Sequence, residues 1–251
     1  MFRIRDLRFA YAKRDVVQIE TLDIPRRGLF AIVGPNGAGK STLIKIVAGI
    51  LKNYMGSIEI DSRELSDFSA AQMADMRSYV PQDTAVHFGF TVQQFIEFGQ
   101  YRRMGLFTTM SALLKEKLAG TVKQLELDGL LHKSVSEISG GELQKTHIAR
   151  ALFQDSSIML LDEPVSSIDI HHKYEIMKFL RKLSKDKLIL YVTHDIVTAL
   201  NFSDRIIALK EGALIDIKKP SDMDDTVKAL YGKTFTIEEI RNNYVIIEGD
   251  Q

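Results

Sequence analysis

Two short stretches hold the residue types that phosphate chemistry needs. Gly34-Pro35-Asn36-Gly37-Ala38-Gly39-Lys40-Ser41-Thr42 fits the spacing G-x-x-x-x-G-K-[ST]. Its glycines let backbone N–H groups turn inward onto phosphate oxygens, and a following helix adds the positive end of its dipole. Lys40 is a point charge that reaches the β- and γ-phosphates. The Ser41 hydroxyl can ligate magnesium, and Thr42 can help hold the phosphates. The second stretch is Ile158-Met159-Leu160-Leu161-Asp162-Glu163. Four apolar residues end in two carboxylates. At the end of a parallel strand, that order places Asp162 beside the loop as a magnesium ligand and Glu163 where it can polarise an attacking water. Adjacent carboxylates disfavour each other's ionisation, so one pKa is expected to rise and favour a base. Without the loop, Asp162-Glu163-Pro164 would read as a helix cap with an acidic first turn.

A third stretch, Glu137 to Lys145 (EISGGELQK), repeats the theme. Ser139, Gly140 and Gly141 open a helix pattern as a phosphate site would, and Ser139-x-x-Glu142 is also a capping box.

The elements that must carry these residues can be read from periodicity. Phe2, Ile4, Leu7 and Phe9 alternate like a strand. Gly28 to Val33 is a continuous apolar run that enters the first loop, as in a strand buried on both faces. Thr42 to Ile50 follows as a helix, with Leu43, Ile46, Val47 and Ile50 on one face. Ile158 to Leu161 and Leu188 to Val192 are further buried strands, and Tyr174 to Leu183 is a helix pattern. Strands alternating with helices predict a parallel sheet covered on both sides, an α/β fold around a phosphate loop. Residues 83–135 differ. Thr91-Val92-Gln93-Gln94 is a capping box, and Ala112 to Leu127 is a second helix, so this stretch reads as a helical insertion. The core then comprises residues 1–82 and 136–217. Residues 218–251 form an appendage, helical over Pro220 to Leu230 and strand-like over Thr234 to Ile237 and Tyr244 to Ile247.

Composition narrows the class. Lys plus Arg equals Asp plus Glu, at 33 each, which leaves no electrostatic footprint for nucleic acid or an anionic membrane. With no cysteine, disulfides, thiolate zinc sites and iron–sulfur clusters are excluded. The first residues lack the apolar core of a signal peptide. No apolar run approaches the roughly 20 residues that span a bilayer, so membrane work is expected to need another chain.

Further short motifs occur in a fixed order with these. Tyr11, Tyr79-Val80-Pro81-Gln82, Ser139-Gly140-Gly141-Glu142, Leu160 to Pro164, Ser166-Ser167-Ile168-Asp169 and Thr193-His194-Asp195 are each weak alone. Tyr11 alone is a strand residue, Gln82 a loop amide, and His194 a strand-end histidine. As an ordered set with the phosphate loop, they resemble the nucleotide-binding subunits of ATP-binding cassette (ABC) transporters, over residues 1 to about 217. The resemblance implies a P-loop NTPase core with a mostly parallel sheet, an N-terminal antiparallel β subdomain and an inserted helical subdomain. It also implies ATP and magnesium as ligands. The motifs become the Walker A loop, the Q-loop, the family signature, Walker B, the D-loop and the switch histidine. By that resemblance Tyr11 stacks on adenine, and Gln82 senses magnesium and the water. Glu163 is the catalytic carboxylate, and His194 contacts the γ-phosphate. Two copies are expected to pack head to tail, so that Ser139, Gly140, Gly141 and Glu142 of one close over ATP held by the other, with Asp169 linking the two sites. Ile138 and Glu142 stand where the usual signature has Leu and Gln, and Ser167-Ile168 where the D-loop has Ala-Leu; no charged catalytic position is lost.

The same resemblance implies separate permease subunits, a substrate-binding protein and a place on the cytoplasmic face of the membrane. DNA-repair and translation relatives fit less well: there is no heptad insertion, no cysteine for zinc and only one cassette. Phe88, Phe90, Phe95, Phe98 and Tyr101 are expected mostly in the insertion's own core, with the remainder available to a partner helix. His87-Phe88-Gly89-Phe90-Thr91-Val92 and Ile168-Asp169-Ile170-His171-His172 resemble cassettes that import iron chelates, haem or cobalamin. Gln100 and Arg102 depart from that pattern, and zinc or manganese importers are the alternative.

Overall fold

The computed structural model describes residues 1–12, 14–82, 89–102, 110–166, 168–232 and 235–248. His87, Phe88, Ser167 and Thr234 lie outside them. In chain order the strands and helices are β1 (Phe2–Tyr11), β2 (Arg14–Ile24), β3 (Gly28–Val33), α1 (Lys40–Val47), β4 (Met55–Ile60), β5 (Arg63–Glu64), α2 (Ala70–Met76), β6 (Arg77–Val80), α3 (Val92–Glu97) and α4 (Ala112–Gln124). Then come α5 (Gly140–Phe153), β7 (Ile158–Asp162), α6 (Ile170–Leu183), β8 (Leu188–Val192), α7 (Ile196–Phe202), β9 (Arg205–Lys210), β10 (Ala213–Lys218), α8 (Asp224–Tyr231), β11 (Phe235–Ile240) and β12 (Asn243–Glu248).

Ten strands form one sheet in the order β5-β4-β1-β2-β10-β9-β3-β8-β7-β6. The β9-β3-β8-β7-β6 end is parallel, whereas β5, β4, β1 and β2 are antiparallel. The halves meet at one parallel pair, Ala213 opposite Gln18, where the Gln18 N–H donates to the Gly212 carbonyl at 2.7 Å. In β1 the apolar spacing steps by three between Ile4 and Leu7. The chain absorbs that step with Asp6 in the left-handed region, φ 50°, where the pairing with β4 shifts register. Phe2, Ile4, Leu7 and Phe9 therefore all face the core.

The central parallel strands β3, β7 and β8 are buried on both faces, which explains their nearly unbroken apolar runs. In β3, Leu29, Ala31 and Val33 join a core that includes α3 to α8. Phe30 and Ile32 join a second core with α1 and the antiparallel strands. The helix after the phosphate loop stops at Val47, because Gly49 takes a left-handed turn at φ 58° that ends the helix. Ile50, expected on the apolar face, is consequently exposed. The capping box of Thr91 and Gln94 is formed and opens α3. Among the described residues of the expected aromatic core, only Phe95 is buried; Phe98 is 40% and Tyr101 57% exposed. Phe98 packs edge-on against Phe90 at 4.8 Å between centroids. Beyond α8, β11 and β12 pair as a separate hairpin. Asn201 of α7 holds it by donating to the Tyr244 carbonyl and accepting the Tyr244 N–H, both at 2.8 Å. Among the described residues, no helix is long and apolar enough to cross a membrane.

Gln154, just past α5, donates to the carbonyls of Ala74 at 2.6 Å and Arg77 at 2.8 Å, tying the α5 end to the junction of α2 and β6. Gln154→Ala leaves two partly buried carbonyls without this donor. It is expected to cost about 1–3 kcal/mol, read as a lower urea midpoint with unchanged slope.

Candidate functional site

Strand register gathers the candidate residues. Ile32 of β3 and Asp162 of β7 both lie opposite Val192 of β8, and Val80 of β6 lies opposite Leu161. The chain leaves all four strands at one edge, carrying Gly34, Gln82, Glu163 and His194 just beyond it. This is the carboxyl edge of a parallel sheet, where α/β folds bind ligands.

The phosphate loop is braced from both sides. Gly34 has φ 150° and Gly39 φ 91°. A Cβ on Gly34 would sit 2.0 Å from the Leu209 carbonyl oxygen, and one on Gly39 would sit 2.5 Å from that of Val16. Strands β9 and β2 therefore leave no room for a side chain. Ala38, Lys40 and Thr42 are buried, while Asn36 and Gly37 form the exposed crest beside the half-buried Pro35. The Lys40 ammonium folds back over the loop and donates to the Gly34 carbonyl at 2.8 Å and the Pro35 carbonyl at 2.9 Å. Burial pushes its pKa down, and the charges of Glu163 and Asp162 oppose that.

Ser41 donates its hydroxyl to Asp162 Oδ1 at 2.9 Å. Asp162 is 1% exposed, and its second oxygen, Oδ2, is buried without a hydrogen-bond partner. Burial pushes the Asp162 pKa up; Glu163 adds to the rise, while Ser41 and Lys45 counter it. The carboxyl raised is thus the expected metal ligand. A buried carboxylate beside a serine hydroxyl, with one oxygen unused, suits a hard divalent cation such as magnesium, which takes oxygen ligands. The Tyr79 hydroxyl is buried beside the same carboxylate and carries a raised pKa, from burial and then Asp162. In the sequence, Tyr79 stands out only as part of Tyr-Val-Pro-Gln. Its place beside Asp162 depends on β6 pairing with β7, which local spacing does not encode.

Glu163 has φ 53°, a left-handed turn that an ordinary residue adopts at a cost. Its Oε2 lies 3.5 Å from His194 Nδ1. Its carboxyl is 17% exposed and the His194 ring 62% exposed. The segment carrying His194 is pinned on both sides. The Thr193 N–H donates to the Ile32 carbonyl at 3.1 Å, and Asp195 caps α7 through the Thr198 N–H at 2.9 Å. Asp195 also forms a short ion pair with Lys173 of α6. Gln82 and Tyr11 are exposed at the rim; Tyr11 stacks edge-on against Phe9 at 5.0 Å.

The stretch at Ser139 does form a capping box. The Ser139 N–H donates to Glu142 Oε2 at 2.7 Å, and the Glu142 N–H to Ser139 Oγ at 3.3 Å. These bonds, from the Ser139 backbone first and its hydroxyl second, hold the Glu142 carboxyl below its usual range. Gly140 and Gly141 begin the helix itself. Asp169 caps α6, accepting the His171 and His172 N–H groups at 3.1 and 3.2 Å. The hydrogen bonds of Ser139 and Asp169 run to Glu142 and to His171 and His172, within the starts of their own helices.

A braced Walker A loop with Ser41 bonded to Asp162 at the carboxyl edge of a parallel sheet defines a P-loop nucleotide-binding protein. More narrowly, residues 17–166 match the family model described as ABC transporter, and the chain belongs to that family. It is an ATP-binding cassette with ATPase chemistry. It is 29% identical over 252 residues to the petrobactin import ATP-binding protein YclP of Bacillus subtilis, covering 98% of each chain. To the hemin import ATP-binding protein HmuV of Rhizobium meliloti it is 32% identical, covering 92% of this chain and 91% of that one. Among solved structures it is similar to the dimeric bacterial ABC transporter cassette MJ0796, with TM-score 0.78, 27% identity, and 88% and 99% coverage. A post-hydrolysis state of that cassette, bound to ADP and Pi, gives TM-score 0.77 at 27% identity, with the same coverage.

Lys173 and Asp195 generate a pH prediction. Burial alone would raise the Asp195 pKa, but Lys173 and the Thr198 N–H and hydroxyl outweigh it and hold it below its usual value. A lowered folded pKa contributes stability above the unfolded value near 4 and loses it as pH falls through the folded value. Lys173→Met is expected to be less stable by about 1 kcal/mol at pH 7. The gap should narrow below about pH 4 and close once Asp195 is protonated in both proteins, as followed by urea unfolding against pH.

Proposed function

We propose that this chain is the ATP-binding subunit of an importer for an iron chelate or haem, and that it hydrolyses ATP as a head-to-tail dimer. The observation that carries the ATPase site is the Ser41–Asp162 pair at the carboxyl edge, with Glu163 and His194 beside it. ATP would lie over residues 34–42, its adenine on Tyr11. A γ-phosphate would compete with the Gly34 and Pro35 carbonyls for the Lys40 ammonium. Ser41 Oγ and the unused Asp162 Oδ2 would hold magnesium, with Gln82 approaching from the rim. The ion supplies charge that offsets the charge developing on the phosphate oxygens. Glu163 orients and polarises the attacking water. His194 steadies the Glu163 carboxylate and reaches for the γ-phosphate.

The second phosphate motif supports the dimer. Ser139 opens a 14-residue helix, whose N-terminus favours an anion, yet its own bonds are local. In the partner's site, Ser139, Gly140 and Gly141 would meet the γ-phosphate, with Glu142 held back in its cap. Asp169 would meet the partner from the other side. The cargo reading rests on the petrobactin and hemin import relatives. Separate permease subunits and a substrate-binding protein complete the assembly, with this chain at the cytoplasmic face. The exposed Phe98 and Tyr101 support the helical layer as the surface that meets the permease.

Glu163→Gln is expected to bind ATP and dimerise while turnover falls about a hundredfold or more; unchanged turnover in a phosphate-release assay would remove Glu163 from its role. Specific ATPase activity of the wild type should rise with protein concentration. A flat dependence down to dilute monomer, checked by light scattering, would rule out the shared site.

A further inference from the structure

His171 and His172 follow the D-loop, and the proposed ATPase site gives them no task. His172 lies in a cleft of about 320 Å³ between α6, the turn after α4, and α5. Its Nδ1 makes a short contact with Asp169 Oδ2, and its Nε2 faces Glu126 Oε2 at 3.6 Å. The same Glu126 oxygen accepts from Lys145 Nζ at 3.2 Å. Lys145 is on α5, the helix that Ser139 opens. Glu126 itself is held in a left-handed turn, φ 57°, just after α4.

We propose that His172 is a positioning residue of the ATPase, whose imidazolium joins the D-loop Asp169 to Glu126 and, through Glu126, to Lys145 on the signature helix. The proton count of the ring decides the link. A neutral imidazole carries one N–H. If Nδ1–H donates to Asp169, a neutral Nε2 presents a lone pair to the Glu126 carboxylate. At 3.6 Å the contact with Glu126 is one of charge rather than a hydrogen bond, and only the protonated ring attracts that carboxylate while it donates to Asp169. The other charged groups lining the cleft are Glu175, Lys178 and Lys182 of α6, and His171 packs against the ring. Asp169, Glu126 and Glu175 bring negative charge to the cleft, and Lys145, Lys178 and Lys182 positive charge. The link therefore fixes the angle between two segments of one chain that the dimer reading places on the partner's ATP. It rests on that reading and adds to it a coupling within the subunit.

The test compares wild type, His172→Gln, Glu126→Gln and the double variant in full-length protein, with kcat and KM for ATP measured from pH 6 to 9. Each single variant is expected to lower kcat at pH 6 by about two- to fivefold, the scale of a surface ion pair, with KM little changed. The double variant should lose no more than either single one. The wild-type to variant ratio should shrink toward one as pH rises through the range where imidazole loses its charge. Glu126 is 71% exposed, so Glu126→Gln leaves the fold intact and reads the link even where His172→Gln folds poorly. Wild-type kcat and an unchanged ratio at every pH, in enzyme whose activity still rises with concentration, would overturn the link alone. Activity that does not rise with concentration would overturn the dimer reading and the link with it.

Discussion

A carboxylate set at the end of a wholly apolar strand is the constraint around which the rest is arranged. Asp162 follows Ile158, Met159, Leu160 and Leu161, all buried, and is itself buried. Placing such a group in a low-dielectric interior is costly unless it is bonded and paired. One oxygen is bonded by Ser41, which fixes where α1 begins. The other has no partner from the protein. Everything that brings Ser41 there follows from strand order: β8 lies between β3 and β7, so the phosphate loop and the carboxylate face each other across one strand. The packing of Gly34 and Gly39 against the Leu209 and Val16 carbonyls then fixes the height of the loop. A bulky residue at either place would displace the serine and leave the carboxylate unbonded.

The two faces of the sheet divide the remaining work. One face, through Phe30, Ile32, Leu160 and Leu190, packs with α1 and the antiparallel strands. The other, through Leu29, Ala31, Leu161 and Tyr191, packs with the helical layer and α6 to α8. The loop of residues 34–42 and the helix that Ser139 opens thus pack into different cores on opposite faces of the sheet. That division suits a cassette whose phosphate loop and signature serve different nucleotides.

Much of this was legible in the sequence, for identifiable reasons. Strands buried on both faces leave unbroken apolar runs, so β3, β7 and β8 could be placed. Capping boxes at Thr91 and Ser139 are local and appear as read. The chemistry of the phosphate loop is also local, because its spacing alone specifies the turn and the lysine. Features that depend on pairing were not legible. The approach of Tyr79 to Asp162, the Lys173–Asp195 pair and the His172–Glu126 contact each join segments whose neighbourhood is set by strand order and helix docking. Apolar spacing does not mark Gly49 as a stop rather than a helical residue, so the exposure of Ile50 is not legible from it. Aromatic content does not distinguish a core from a face, so which of the insertion's aromatics stay exposed, as Phe98 and Tyr101 do, depends on packing.

The hairpin of β11 and β12 has one further consequence. It is held by Asn201, near the end of α7. That helix is only seven residues long, and its cap, Asp195, adjoins His194. At 1.5 Å per residue the anchor stands roughly 10 Å from the histidine segment along one rigid rod. The hairpin and the His194 segment are thus attached to the two ends of one short helix.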